Sequence, residues 1–131
     1  MALILPILLL AWLLHAQAPA AGPPALQALA PMAIQAPVFE TGSARRPRVI
    51  RSQAEAAAYF AAEDLARLSR EVDFSRQSVL LFAWKGSGQD SLEAVLDGAA
   101  VRFTYIPGRT RDLREHHRVF VLRSDLAWSL Q

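Results

Sequence analysis

This chain contains no cysteine. That excludes disulfides, thiolate zinc sites, a lipid-bearing N-terminal cysteine and a cysteine nucleophile. It also has no Asp, Glu, Lys or Arg before Glu40, so all 14 basic and 12 acidic residues lie from that position onward. The net charge of +2 is too small to imply a nucleic-acid partner. After Ala99 there are six arginines against three acids, a mild excess that falls short of a nucleic-acid-binding stripe with interleaved aromatics. H-E-x-x-H, G-x-S-x-G, G-x-G-x-x-G and the Walker phosphate loop are all missing. No metal or other cofactor is therefore expected.

The uncharged N-terminal third has two parts. Ala2 to Leu14 is an apolar run, shorter than the ~20 residues that cross a bilayer as a helix. Small residues follow, and Ala18 and Ala20 form an A-x-A-like site. Residues 1–20 are expected to be a signal peptide cleaved after Ala20, giving a secreted or periplasmic protein. No Lys or Arg precedes the apolar run, and an uncleaved segment would serve as a weak membrane anchor. Six of the eight prolines then fall between Pro19 and Pro47, amid many alanines and without sustained periodicity. This composition predicts a disordered Ala/Pro-rich linker over 21–47.

Residues 48–131 are expected to form the folded domain. Arg48 to Arg51 suggests a short strand. Ser52 and Glu55 have capping-box spacing. Ala57, Phe60 or Ala61, Leu65, Leu68 and Val72 recur at helical steps, predicting one helix over Ala56–Arg70 with a Glu63–Arg67 pair on its surface. Val79 to Trp84 is continuously apolar and short, as in a central strand covered on both faces. Ser91–Asp97 and Ala100–Ile106 alternate about an Asp97-Gly98 turn. Arg118–Arg123 reads as a further strand, and Trp128 is placed to cover a sheet edge. The expected fold class is α+β, with one helix packed on an antiparallel sheet of about four strands joined by short hairpin turns.

The stretch from Ala54 to Gly88 resembles the opening of the C-terminal domain of the protease-complex subunit PrcB. A helix there leads through Val72-Asp73-Phe74 and the polar residues Ser75 to Ser78 into the apolar strand Val79–Trp84 and a turn at Gly86. The pattern departs at Gln89-Asp90-Ser91-Leu92, where a Gly-Gly-Tyr-like strand start is usual. Phe82–Asp90, Pro107–Arg114 and Leu122–Ser129 together resemble a family of small uncharacterised secreted bacterial proteins, which implies a recurring module. The first resemblance implies a regulatory subunit of a secreted protease. Neither supplies catalytic residues.

The densest polar chemistry lies in Pro107–Val119, with four arginines, Asp112, Glu115 and the pair His116 and His117. Adjacent strand residues point to opposite faces, so the histidines are not expected to ligate one metal together. Arginine forks suit carboxylates, phosphates and sulfates. Arg109, Arg111 and Arg114, with Lys85 and Trp84, form the candidate binding set. The competing structural reading is an internal clamp, Arg109 or Arg111 against Asp112 or Asp90. The function expected is a non-enzymatic exported domain that binds an envelope or extracellular protein, or an anionic ligand. The alternative is a hydrolase-type enzyme using His116 or His117.

Overall fold

A computed structural model describes residues 22–131. The expected signal segment lies outside the described residues. The element order is β1 (Leu26–Ala28), α1 (Ala36–Thr41), β2 (Arg48–Ile50), α2 (Gln53–Ala56), α3 (Ala62–Glu71), β3 (Gln77–Gly86), β4 (Ser91–Asp97), β5 (Ala100–Ile106), β6 (Arg114–Arg123) and β7 (Ala127–Leu130).

The sheet is double. Strands β1-β6-β3-β2 form one antiparallel sheet, and β4-β5-β7 form a second, with β7 parallel to β5. The expectation of one helix on one four-stranded sheet is thus overturned, because three short helices and a second sheet cover opposite faces of the first. Strand β3 shows why. Its residues Val79, Leu81 and Ala83 join a core with Phe39, Phe60, Leu68, Val119 and Val121 on the helical side. Leu80, Phe82 and Trp84 join a second core with Leu92, Val101, Phe103, Phe120 and Leu122 between the sheets. The unbroken apolar run of β3 is the sequence signature of a strand buried on both faces.

The short loops do not all make hairpins. Asp97-Gly98 does, with Asp97 opposite Ala100 and Gly98 at φ 62°. The turn after Gly86 instead carries the chain from the first sheet to the second. The later partner of β3 is β6, with Gln77 opposite Arg123 and Gly86 opposite Arg114. The β4–β5 hairpin is therefore an insertion between two paired central strands. Arg118 ties the layers together, donating to the Leu92 carbonyl at 2.9 Å.

The expected linker is largely structural. Strand β1 pairs Leu26 with Leu122 and Ala28 with Phe120. Met32, Val38, Phe39 and Ala44 are buried. Composition hid this because a few apolar anchors sit among alanines and prolines, while much of the ordering comes from backbone bonds to distant strands, such as Leu29 N–H to the Val119 carbonyl at 2.9 Å.

The same segment explains the broken helix. Ser52 caps α2 as its sequence suggested, accepting from the Glu55 N–H at 3.1 Å. The helix then stops, since Gln35 N–H donates to the Tyr59 carbonyl at 2.9 Å and Ala61 N–H donates to Ala33 at 3.0 Å. The Gln35 side-chain amide takes the Ala57 and Phe60 carbonyls at 2.9 and 3.2 Å. Backbone groups needed to continue the helix are thus committed elsewhere. The helix restarts at Ala62, and Arg67 pairs with Glu71 at 3.1 Å rather than with Glu63.

Candidate functional site

Two polar turns meet at one end of the sheets: Ser87–Asp90 after β3, and Pro107–Leu113 between β5 and β6. Two aspartates lock them together. Asp90 accepts from the Trp84 indole N–H at 3.0 Å, the Tyr105 hydroxyl at 2.9 Å and the Gly108 N–H at 2.7 Å. Partial burial pushes its carboxyl pKa up, but these three donors outweigh that and the net shift is downward. The Tyr105 hydroxyl is pushed up, first by burial and then by its bond to Asp90.

Asp112 performs the same task from the other turn. It accepts from the Thr110 hydroxyl, from the Gly88 N–H at 3.0 Å and from Arg114 Nε at 3.2 Å. The Thr110 hydroxyl is the main cause that holds its carboxyl down at about 2, followed by the Gly88 N–H. Gly88 leaves room for this contact, since a Cβ there would push the Asp112 carboxylate aside. Ser87 closes the network. Its Oγ accepts from the Gln89 and Thr110 N–H groups, each at 3.2 Å, and shares a hydrogen bond with the Thr110 hydroxyl.

The arginines of this region therefore do different things. Arg114 pairs with Asp112. Among the described residues, Arg109 and Arg111 make no side-chain hydrogen bond or ion pair and are exposed. The proposed clamp of Arg109 or Arg111 on Asp112 or Asp90 is not formed. The carboxylates instead hold backbone N–H groups, hydroxyls and an indole.

Lys85 and Trp84 do not join the exposed arginines as free groups. Lys85 pairs with Glu40, which reaches it from the end of α1. Trp84 is only 4% exposed, donates to Asp90, and stacks on His116 with ring centroids 5.0 Å apart and planes 16° apart.

The histidines divide between the faces of the first sheet, as alternation requires. His117 lies on the helical side, accepting the Met32 N–H at 3.2 Å with Phe39 edge-on at 6.3 Å. Burial lowers its pKa, and the bond requires its Nε2 to be unprotonated. His116 lies on the other side and contacts the Ser87 carbonyl oxygen, not the hydroxyl, at 2.8 Å. Among the described residues no three His, Asp or Glu side chains are placed to hold a metal.

In the sequence Asp90 and Asp112 are candidates as partners for arginine or as metal ligands beside a histidine, not as clamps on the turns. Each carboxylate lies against a glycine of Gly86-Ser87-Gly88, a contact with no sequence signal for Asp112, which is 24 positions beyond Gly88.

A second basic feature went unnamed in the sequence. Arg45, Arg46 and Arg48 follow the end of α1 and line a depression of about 540 Å³ with Thr41, Ser43 and Pro47. Arg45 lies over the Tyr105 ring, 5.0 Å from its centroid, which joins this segment to the Asp90 network. Comparison with protein-family models, curated proteins and solved structures finds no match to this chain.

Proposed function

We propose that this is an exported, non-enzymatic binding module whose recognition element is Arg109–Leu113. The partner is an envelope or extracellular protein with acidic residues beside an apolar contact. The carrying observation is alternate hydrogen bonding along a clamped surface loop. Thr110 and Asp112 hydrogen-bond to Ser87 and Gly88, while themselves remaining at the surface. Arg109, Arg111 and Leu113 are exposed, and Leu113 reaches 70% exposure.

Two guanidinium groups followed by a leucine combine charge-assisted hydrogen bonding with apolar burial. A leucine held in water by a loop with so many internal bonds gains nothing from folding. It gains on association. Pre-organisation removes much of the entropy cost that a free loop incurs on binding.

Selection from a random peptide display library tests this reading. The wild-type domain should enrich peptides in which acidic and apolar residues alternate. The Arg109→Ala/Arg111→Ala variant should bind those peptides about 10–100-fold more weakly, the equivalent of one lost charge-assisted bond of ~1.5–3 kcal/mol. Leu113→Ser should also weaken them. Equal binding by all variants, with each folded, would dismiss the loop as the recognition element.

A further inference from the structure

We infer that the turn from Thr41 to Arg48 is a second, separate binding site, for a tetrahedral oxyanion of the phosphate monoester class. The residues come from one short stretch. Arg46 N–H donates to the Ser43 carbonyl at 3.1 Å, and Arg45 N–H donates to Ser43 Oγ at 3.1 Å. This closes a tight turn that brings Arg45, Arg46 and Arg48 into the lining of the depression, with the Arg48 guanidinium also over the Tyr59 ring, 5.9 Å from its centroid.

Each guanidinium has a distinct state. Arg45 is braced against Tyr105. Arg48 is fixed by donating to Thr41 Oγ1 at 3.0 Å, yet its Nε is buried and has no hydrogen-bond partner. Arg46 is exposed and makes no side-chain bond among the described residues. No carboxylate lines the depression. The nearby acid, Glu40, is engaged by Lys85.

Uncompensated like charges repel, and an orphan buried donor is unfavourable. An oxyanion seated among the guanidinium groups relieves the first of these. Guanidinium forks match its oxygens in pairs, and the Ser43 and Thr41 hydroxyls offer further donors. The depression has room beside a phosphate for part of the group that it esterifies.

The source of the phosphate is open to direct comparison. Inorganic phosphate is titrated at constant ionic strength into ¹⁵N-labelled protein, following the Ser43–Arg48 amides and the arginine Nε–H signals. In parallel, the protein is sedimented with phosphatidylcholine vesicles with or without phosphatidic acid. Saturable shifts with inorganic phosphate, weakened at least tenfold by Arg46→Ala and partly restored by Arg46→Lys, establish a soluble phosphate ligand. Binding confined to phosphatidic acid vesicles, with the same dependence on Arg46, establishes a lipid headgroup. The Arg109→Ala/Arg111→Ala variant should behave as wild type in both arms, which separates this site from the recognition loop. Non-saturable shifts together with no vesicle binding, or binding indifferent to Arg46→Ala, overturn the inference.

Discussion

A chain cut to begin at Arg48 is expected to lose cooperative folding. The cut removes β1 and α1, and with them the buried Met32, Val38 and Phe39. Each such side chain contributes ~1.5–3 kcal/mol by burial, so about 5–9 kcal/mol is lost before the backbone bonds are counted. That matches the whole stability of a typical domain, ~5–15 kcal/mol. The cut also exposes one edge of β6, which β1 covers at Phe120–Leu122. Thermal unfolding followed by tryptophan fluorescence compares this chain with one beginning at Gly22. The longer chain should show a single sharp transition and the shorter one none. Equal midpoints would restore the linker reading of 21–47.

The second large effect is expected at Asp90. In Asp90→Ala the Trp84 indole, the Tyr105 hydroxyl and the Gly108 N–H lose a common charged acceptor. Bonds to charged groups contribute ~1.5–3 kcal/mol each, and partial exposure of Asp90 reduces the sum to about 2–4 kcal/mol. The midpoint should fall by about 10–20 °C. Asp90→Asn should fall between alanine and wild type, since an amide oxygen accepts without the charge.

Acid acts on the same network. Both carboxyl pKa values are lower in the folded protein than the ordinary value of 3.8, and that of Asp112 is about 2. The unfolded chain therefore takes up these protons first. The stabilisation is complete above the ordinary carboxylate range and is lost as the pH falls toward 2. Urea unfolding at pH 7 and pH 2.5 should show wild type losing more stability between the two than Asp90→Ala. A larger acid loss in the variant would mean that Asp90 does not hold the turns together.

The legible parts of this fold share a property: their signals are local. Val79–Trp84 is apolar without a break because β3 is covered on both faces. Asp97-Gly98 turns between strands that pair along their length. The short strand at Arg48–Ile50 and the cap at Ser52 lie where their residues suggested.

The illegible parts depend on residues far away. The Ala56–Arg70 periodicity is genuine, but Ala33 and Gln35 take up the backbone groups that would make it one helix. Residues 26–44 lack periodicity because a three-residue strand, an isolated β-bridge from Ile34 to Phe60 and a six-residue helix are each too short to show one. The second sheet was hidden for a related reason. Alternation in β4 and β5 shows that one face is buried, without showing that the cover is another sheet.

The candidate site was half legible. The arginines of 107–114 were visible as chemistry, and strand alternation correctly separated His116 from His117. The alternate hydrogen bonding of Thr110 and Asp112 was not visible. It exists only because the Ser87–Gly88 turn, more than twenty residues earlier, supplies its hydrogen-bonding partners.

Everything proposed for Arg109, Arg111 and Leu113 rests on the rigidity that those partners impose. Backbone ¹⁵N relaxation across Arg109–Leu113 measures it directly. Order parameters of about 0.85, equal to those of the neighbouring strands, are the result this account predicts. Values below about 0.6, typical of a flexible loop, would contradict it.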